Sequence, residues 1–180
     1  MFAGPVIRGG DCQGLILRLG CKRTFVSMSE GPLYVVLEHL QRDVLMSVSI
    51  LGTGITSFGR RPQDNMRSLS EEALGLALAD AGIAASDLSM VVFGNATEGY
   101  LHGQEMIRSE VALRDAGLTG VPMINVENAC ASSSSAFHVA CMAVSSGAAD
   151  VVLVLGVERL THPTKRRSFD ALATAVDLHE

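Results

Sequence analysis

From residue 46 onward, hydrophobic and polar residues follow each other along the chain in blocks. Four continuous apolar runs predict buried strands, at 48–54, 87–94, 121–126 and 151–156. Segments with apolar residues at helical spacing lie between these runs and predict helices, between Ser68 and Gly82, at 104–116 and at 130–146. Strands that are apolar on both faces are typical of parallel sheets covered on both sides, with right-handed crossovers. The pattern therefore predicts an α/β fold, with functional groups at the carboxyl ends of its strands.

Local signals set the limits of the first helix and explain the glycines before it. Ser68 begins a segment with the spacing of a capping box, and Gly82 is a natural residue to end the helix. Gly52 and Gly54 follow an apolar run, as they would in a dinucleotide-binding loop. However, Ser57 takes the place of the third glycine, and no helix follows at once to cradle a phosphate. We therefore interpret these glycines as residues that turn the chain.

The two ends of the chain depart from the block pattern. Residues 1–45 are rich in glycine and arginine without a clear period, and acidic residues dilute any likeness to a targeting peptide. We expect a poorly defined extension here, with Met46, just before the first strand, as a candidate for the true start. Residues 46–160 make up the predicted domain. Residues 161–180 are polar and basic at first, and 168–178 have the pattern of one further helix.

The helix predicted at 130–146 is apolar nearly all round. Alanine, valine, methionine and phenylalanine leave it little polar surface. A helix of this kind is buried on more than one side, whereas a single sheet covers only one. We therefore expect a second sheet, a partner subunit or both to cover its remaining face.

Composition narrows the classes of function. The chain has 180 residues, of which 48% are hydrophobic, and a net charge of −5. This length is sufficient for one domain with a sizeable core, and the mild acidity argues against non-specific nucleic-acid binding. No apolar run reaches the roughly 20 residues of a membrane span. Cys12, Cys21, Cys130 and Cys141 lack the spacing of a zinc site, so we expect free thiols in a reducing cytoplasm.

Cys130 is the first candidate for chemistry, because it lies where the third strand gives way to a helix. Unpaired backbone N–H groups and peptide dipoles at a helix start favour negative charge, so a thiol there can become a nucleophilic thiolate at neutral pH. Asn128 or Ser132 is placed to cap that helix. On these features alone, Cys130 is either a nucleophile or a buried structural thiol.

Three other residues are candidates for binding a substrate. His102 follows the second strand and could line a pocket. Lys165 and Arg166 could meet the phosphates of a nucleotide-bearing substrate, although such a basic run is also typical of a solvated loop. His138 is about 12 Å from Cys130 along the helix axis, which is too far for it to act as a base on that thiol.

Two motifs make the sequence recognisable. Asn-Ala-Cys-Ala-Ser-Ser-Ser-Ser-Ala-Phe spans 128–137, and 146–158 contains Ser-Gly-Ala-Ala-Asp, an apolar run and Gly-Val-Glu. Together they resemble the amino-terminal half of thiolases, with the closest likeness to the sterol-carrier-protein-like or lipid-transfer-protein-like branch. The segments 48–54 and 80–83 fit the same pattern, so the likeness covers about residues 46–162. Ketoacyl synthases of the type III class share this layout.

The resemblance implies a fold and a reaction. The fold would be half of a thiolase-like αβαβα sandwich, with a mostly parallel sheet and helices on both faces. The reaction would be acyl transfer, with acyl-CoA as substrate and no cofactor. Cys130 would attack the thioester and hold the acyl group, and its backbone N–H could donate to the oxyanion. The carbanion of a second acyl-CoA would then form a carbon–carbon bond, and the reverse reaction is thiolysis.

The resemblance also implies which parts of the site lie elsewhere. Ser133 stands where many thiolases have glycine, so a close backbone approach there depends on how the serine fits. The catalytic His and second Cys of the family belong to a carboxyl-terminal repeat that no residue here matches, and the loop domain expected from Thr161 is cut short. The sequence thus predicts the nucleophile half of a site. The alternative is a non-catalytic interaction module, and in either case we expect a homodimer or hetero-complex through the helix layer and the sheet edge.

Overall fold

A computed structural model of the protein describes residues 13–19 and 48–179. Within these residues the chain forms a mixed sheet with helices on both faces. The strands are β1 (Gln13–Leu19), β2 (Val48–Ile55), β3 (Met90–Gly94), β4 (Met123–Val126) and β5 (Val151–Gly156). The helices are α1 (Met66–Ala81), α2 (Glu98–His102), α3 (Arg108–Ala112), α4 (Ser132–Ser145) and α5 (Lys165–Ala173). Of the helices in the described ranges, none has both the length and the apolar character needed to cross a bilayer.

The sheet has the strand order β2-β1-β5-β3-β4. Strand β3 pairs in parallel with β4 and β5, while β1 pairs antiparallel with both β2 and β5. The parallel pairs need crossover connections, which the intervening helices supply. The predicted α/β class, with a mostly parallel sheet and helices on both faces, is confirmed. The carboxyl ends of β3, β4 and β5 consequently meet at one edge of the sheet.

Strand β1 is absent from the sequence-based prediction, which assigns no regular element to the start of the chain. The structure places Gln13–Leu19 between β2 and β5, paired along both edges. Partners that are distant in sequence decide this placement, and a local hydrophobic pattern does not report them. The rest of the predicted extension lies outside the described residues, and so does Met46.

Helix α1 has its caps at Asn65 and Gly82. The Asn65 side chain accepts a hydrogen bond from the Ser68 backbone (3.0 Å), and the Ser68 hydroxyl accepts one from the Asn65 backbone (3.0 Å). Ser68 is thus the inner partner of the capping box. The prediction that it begins the box is wrong, because Asn65 caps at least as well as serine. Gly82 ends the helix in the left-handed conformation (φ 66°), as predicted.

The helix predicted at 104–116 is reduced to α3, and the short helix α2 precedes it. Gly103 follows α2 with a φ of 86°, and Ile107 adopts a left-handed backbone (φ 46°) just before α3. These two positions interrupt the helical hydrogen bonds, although the apolar spacing of the sequence continues across them. The helix predicted at 168–178 begins and ends earlier in the structure, where α5 covers 165–173.

Two apolar cores lie on opposite faces of the sheet. Helices α1 and α3 pack over one face, on fully buried side chains of β3 and β5: Val91, Phe93, Leu153 and Leu155. Helix α4 packs over the other face, on the alternate side chains of the same strands: Val92, Val152 and Val154. Because both faces of β3 and β5 are covered, these strands are apolar throughout.

Helix α4 is covered on one side only by the described part of the chain. Its buried residues recur at every fourth position: Ser132, Ala136, Ala140 and Val144. On the other side Phe137, His138 and Met142 are exposed, and Met142 has 51% of its surface accessible. The second cover that the sequence predicts is therefore not provided by residues 48–179.

Gly52 and Gly54 lie inside β2, so the interpretation that they turn the chain is wrong. A Cβ atom at Gly54 would lie 2.5 Å from the backbone nitrogen of Ala77, and one at Gly52 would lie 2.5 Å from that of Ala81. Neither separation leaves room for a side chain. The glycines are needed because α1 packs directly on the backbone of β2.

Candidate active site

Cys130 lies at the sheet edge where β3, β4 and β5 end. Strand β4 ends at Val126, and the chain passes through a 3-10 turn, Ala129–Ala131, before α4 begins at Ser132. Cys130 is the middle residue of that turn and is exposed. The prediction that it opens the helix is corrected: the helix is preceded by a tighter turn, as is frequent at helix starts, and the thiol belongs to this turn.

Two glycines bring the first turn of α4 onto the sheet. Gly94 and Gly156 are paired neighbours at the ends of β3 and β5. A Cβ atom at Gly94 would lie 3.0 Å from the Ser132 carbonyl group and from the Ser133 Cα, and one at Gly156 would collide with the Ser133 side chain. The close approach therefore exists without the glycine that the resemblance places at position 133. It exists because Gly156 leaves room for the serine.

Hydrogen bonds hold the turn that carries Cys130. The Ser132 hydroxyl accepts one from the Asn128 backbone nitrogen (2.9 Å) and donates one to the Ala129 carbonyl (2.8 Å). The Asn128 side chain donates to the Ser135 hydroxyl (2.8 Å). The prediction that Asn128 or Ser132 caps α4 is wrong, because neither side chain caps the helix. Both residues hold the turn ahead of it instead.

The backbone at Ala129 is strained. Its φ of 46° lies in the left-handed region, which costs a residue with a Cβ about 1–2 kcal/mol. Strain of this kind persists only where the surrounding structure requires it, and it is frequent at functional sites. Here it redirects the chain after β4, so that the next residue, Cys130, lines a cavity.

The cavity beside Cys130 has a volume of about 410 Å³. The Cys130 turn and the start of α4 form part of its lining, the ends of β3 and β5 form another part, and the α5 segment completes it. The lining residues that matter below are Thr97, Glu158, Leu160, Ala171, Leu172 and Ala175. A volume of this size lies within the range of small-ligand sites.

The Glu158 carboxylate joins the end of β5 to the loop after β3. It accepts hydrogen bonds from the backbone nitrogens of Ala96 (2.9 Å) and Thr97 (3.2 Å), and another from the Thr97 hydroxyl. In the same loop, the Asn95 side chain donates to the Val157 carbonyl (2.7 Å). Glu158 is therefore engaged in shaping the cavity wall and does not present a free carboxylate to a substrate.

Glu98, at the start of α2, is buried, and one of its carboxylate oxygens makes no hydrogen bond. Burial raises the pKa of this carboxyl, and Glu158 adds to the shift. The positive charges of His102 and Arg159 offset part of it. The folded protein consequently binds this proton more tightly than the unfolded chain does.

We expect Glu98→Gln to stabilise the folded protein at pH 7 and to have little effect at pH 4. Because the folded pKa is raised, the stability from this proton is fully present below the unfolded pKa and is lost as the pH rises through the folded pKa. The amide does not ionise, so its gain at pH 7 should be about 1 kcal/mol. Urea unfolding from pH 4 to pH 7 measures the difference, with Glu71→Gln on α1 as the control. A Glu98→Gln effect that does not change with pH would contradict this account.

His102 is the last residue of α2. Its Nε2 is 3.3 Å from the Arg159 carbonyl oxygen, and its ring centre is 6.2 Å from that of His162. It is not among the residues that line the Cys130 cavity. A role for His102 in substrate binding stays a prediction.

Lys165 and Arg166 are the exposed first residues of α5. Arg166 lies 3.7 Å from Asp170 in an exposed ion pair. Neither basic residue lines the cavity, to which α5 contributes Ala171 and other residues near its end. The structure therefore does not bring Lys165 or Arg166 together with Cys130, and their contact with a nucleotide phosphate also stays a prediction.

Residues that shape the cavity are missing from the sequence-based candidates. Gly94 and Gly156 end two predicted parallel strands, and glycine at such an end is a signal for close backbone approach that could have identified them. Ala171 and Ala175 have the four-residue spacing of one helix face, but alanine is too frequent in helices to single them out. Glu158 ends the Gly-Val-Glu motif, but the sequence-based prediction gives it no role in the site.

Two of the four cysteines lie in the part of the chain that the structure describes. Cys130 and Cys141 are both free, whereas Cys12 and Cys21 lie outside the described residues. Within 13–19 and 48–179, no three side chains of His, Cys, Asp or Glu come together in a way that could hold a metal ion.

Comparison with known proteins gives concordant matches. Residues 48–177 match the family described as Thiolase, N-terminal domain. The acetyl-CoA acetyltransferase of Methanocaldococcus jannaschii is 42% identical over 133 residues, which are 74% of this chain and 33% of that protein. Sterol carrier protein 2 of Gallus gallus is 34% identical, over 73% of this chain and 24% of that protein. Both matches leave most of the relative uncovered, so the chain spans about a third or less of their length.

Among solved structures, the priming β-ketosynthase of the R1128 polyketide biosynthetic pathway is similar to this chain. It is 27% identical and gives a TM-score of 0.50, over 56% of this chain and 29% of that one. The likeness supports the α/β fold of this chain.

Proposed function

Because the chain belongs to the thiolase family through residues 48–177, we propose that it is an acyltransferase domain in which Cys130 accepts the acyl group of an acyl-CoA. The observation that carries the proposal is an exposed free thiol in the lining of a cavity of about 410 Å³. Its position at the carboxyl ends of parallel strands is where α/β sheets concentrate their functional groups.

The proposed first step is an exchange between two thiols. The Cys130 sulfur bonds to the thioester carbonyl carbon while the bond from that carbon to the CoA sulfur breaks, and the thiol proton ends on CoA. Reactant and product are both thioesters, so the step needs no further reactant. In this proposal the backbone N–H of Cys130 donates to the oxyanion that forms during the exchange.

The second step removes the acyl group from Cys130. In condensation, the carbanion of a second acyl-CoA attacks the acyl group, as the resemblance to thiolases implies. In thiolysis of a 3-ketoacyl-CoA, free CoA attacks it instead. Both routes need an acid and a base, and Glu158 is already hydrogen-bonded to the loop after β3. The resemblance implies a His and a second Cys in these roles, and the cavity lining holds neither besides Cys130, so we assign the roles to groups outside this cavity.

The exposed side of α4 supports a second candidate function, that of an interaction module. Phe137 and Met142 present apolar surface on this helix, and Ile124 of the edge strand β4 is also exposed. In this candidate function a second thiolase-like chain, identical or different, covers the surface in a homodimer or hetero-complex. Sedimentation velocity of the purified chain and of Phe137→Ser would show a dimer that the substitution weakens, whereas a monomer in both samples would contradict it.

Modification of individual thiols tests the acyltransferase proposal. We expect iodoacetamide at pH 7 to alkylate Cys130 at least about tenfold faster than Cys141. Cys130 is exposed, whereas burial raises the pKa of the Cys141 thiol. An acyl-CoA should protect Cys130 and leave an acyl adduct on it, which peptide mass spectrometry resolves from the other thiols.

Two serine variants serve as matched controls. Cys130→Ser should abolish the acyl adduct, and Cys141→Ser should retain it, because only the first removes the proposed nucleophile. Equal alkylation rates for Cys130 and Cys141, or an acyl adduct that persists in Cys130→Ser, would contradict the proposal.

A further inference from the structure

We propose that the cavity beside Cys130 binds the acyl chain of a medium-length acyl-CoA, of about six to ten carbon atoms, in preference to acetyl. The inference rests on the proposed acylation of Cys130 and specifies the acyl group that this residue accepts. It follows from the size of the cavity, from the chemistry of its lining and from the hydrogen bonds of its polar groups.

The cavity is several times larger than an acetyl group requires. A water molecule occupies about 30 Å³ in the liquid, and a methylene or carbonyl group needs a similar volume. The three heavy atoms of an acetyl group would then fill about a quarter of the 410 Å³. An eight-carbon acyl group, with nine heavy atoms, would fill about two-thirds of that volume.

The lining away from the thiol is apolar except for Thr174, whose hydroxyl donates to the Ala171 carbonyl. It is formed by residues that follow β5 and by the end of the α5 segment: Leu160, Ala171, Leu172 and Ala175. Ala171 lies on α5 and Ala175 in the turn that follows it, and both line the cavity. Their small side chains leave the volume open, and an apolar lining favours an alkyl chain over water.

Most polar side chains of the lining already make hydrogen bonds within the protein, whereas the Ser133 hydroxyl makes none with the described residues. The Thr97 hydroxyl donates to Glu158, which also accepts from the backbone of Ala96 and Thr97. The Ser132 hydroxyl accepts from one backbone group of the Cys130 turn and donates to another. A polar ligand would have to replace these bonds to be recognised, whereas an alkyl chain leaves them intact.

Acylation rates with acyl-CoAs of different length test the inference. The full chain is incubated separately with acetyl-CoA, octanoyl-CoA and palmitoyl-CoA, and the adduct on Cys130 is followed by peptide mass spectrometry. We expect octanoyl-CoA to react at least about tenfold faster than acetyl-CoA, because its chain fills the apolar volume. Palmitoyl-CoA should react more slowly than octanoyl-CoA, because its chain exceeds that volume.

Ala175→Leu should remove the preference for octanoyl-CoA. The larger side chain fills part of the cavity, so we expect the ratio of the octanoyl rate to the acetyl rate to fall at least about tenfold. Ala175 is exposed, so the larger side chain is compatible with folding. Ala173→Leu is the matched control, since Ala173 is exposed on α5 and does not line the cavity. It should change neither rate.

The outcomes separate this inference from the function on which it rests. Acetyl and octanoyl rates that are equal, or an Ala175→Leu variant that keeps the wild-type ratio of the two rates, would overturn the chain-length inference while acylation of Cys130 still stood. The absence of an adduct with all three acyl-CoAs would overturn the proposed function, and the inference with it.

Discussion

Replacing Gly54 by alanine is expected to lower the free energy of unfolding by about 3 kcal/mol. The added Cβ would lie 2.5 Å from the backbone nitrogen of Ala77 and 2.9 Å from the Cβ of Leu76. Both atoms are fixed to the α1 backbone, so no side-chain rotation relieves the overlap and the whole helix must move off β2. Because α1 supplies much of the core on its face of the sheet, that movement also disturbs buried contacts. Urea unfolding followed by far-UV circular dichroism measures the loss.

The matched control is Gly75→Ala on α1 itself. Nothing lies within 4 Å of a Cβ atom at Gly75, and alanine has the higher helix propensity. We therefore expect this variant to gain about 0.5–1 kcal/mol. The same substitution should thus have opposite signs at the two glycines. A Gly54→Ala variant that is as stable as the wild type would show that α1 does not pack on β2 in the way described.

Strands β3 and β5 could be predicted from the sequence because their local pattern and their environment agree. Both are covered by helices on both faces, so every position selects an apolar residue and the run is continuous. Strand β5 occupies the predicted residues 151–156. Gly82 was equally predictable, because a left-handed residue is needed where α1 ends and glycine adopts that conformation at the least cost.

Elements that depend on distant partners could not be predicted in this way. Strand β1 is defined by pairing with β2 and β5, and nothing local distinguishes it from the glycine-rich sequence around it. The helix predicted at 104–116 is broken near Ile107, where the apolar spacing continues but the backbone does not. The local pattern places Gly52 and Gly54 at the end of a strand. Only the packing of α1 on their backbone explains why glycines lie inside β2.

The same distinction applies to the candidate site. The position of Cys130 between β4 and α4 could be predicted because the strand, the turn and the start of the helix are contiguous in sequence. The cavity could not, because Leu160 and the α5 residues reach it only through the tertiary fold. In our proposals the thiol accepts the acyl group, and the residues that shape this cavity select its length.

Replacing Gly94 by alanine is expected to slow acylation of Cys130 at least about tenfold, because small misplacements of a reacting group are costly. The new Cβ would lie 3.0 Å from the Ser132 carbonyl group and from the Ser133 Cα. These are backbone atoms, so the first turn of α4 must shift, and the Cys130 turn shifts with it. The expected stability cost of about 1–2 kcal/mol leaves a folded protein in which the rate can be measured.

Gly156→Ala tests whether displacement of the helix start is the cause. Its Cβ would collide with the Ser133 side chain and not with the backbone, so adding Ser133→Gly should restore the acylation rate. The same addition should not rescue Gly94→Ala, whose neighbours include the Ser132 carbonyl group. Wild-type acylation by Gly94→Ala, or equal rescue of both variants by Ser133→Gly, would mean that the approach of α4 to the sheet does not position the thiol. Selective rescue would instead assign the placement of Cys130 to the two glycines at the strand ends.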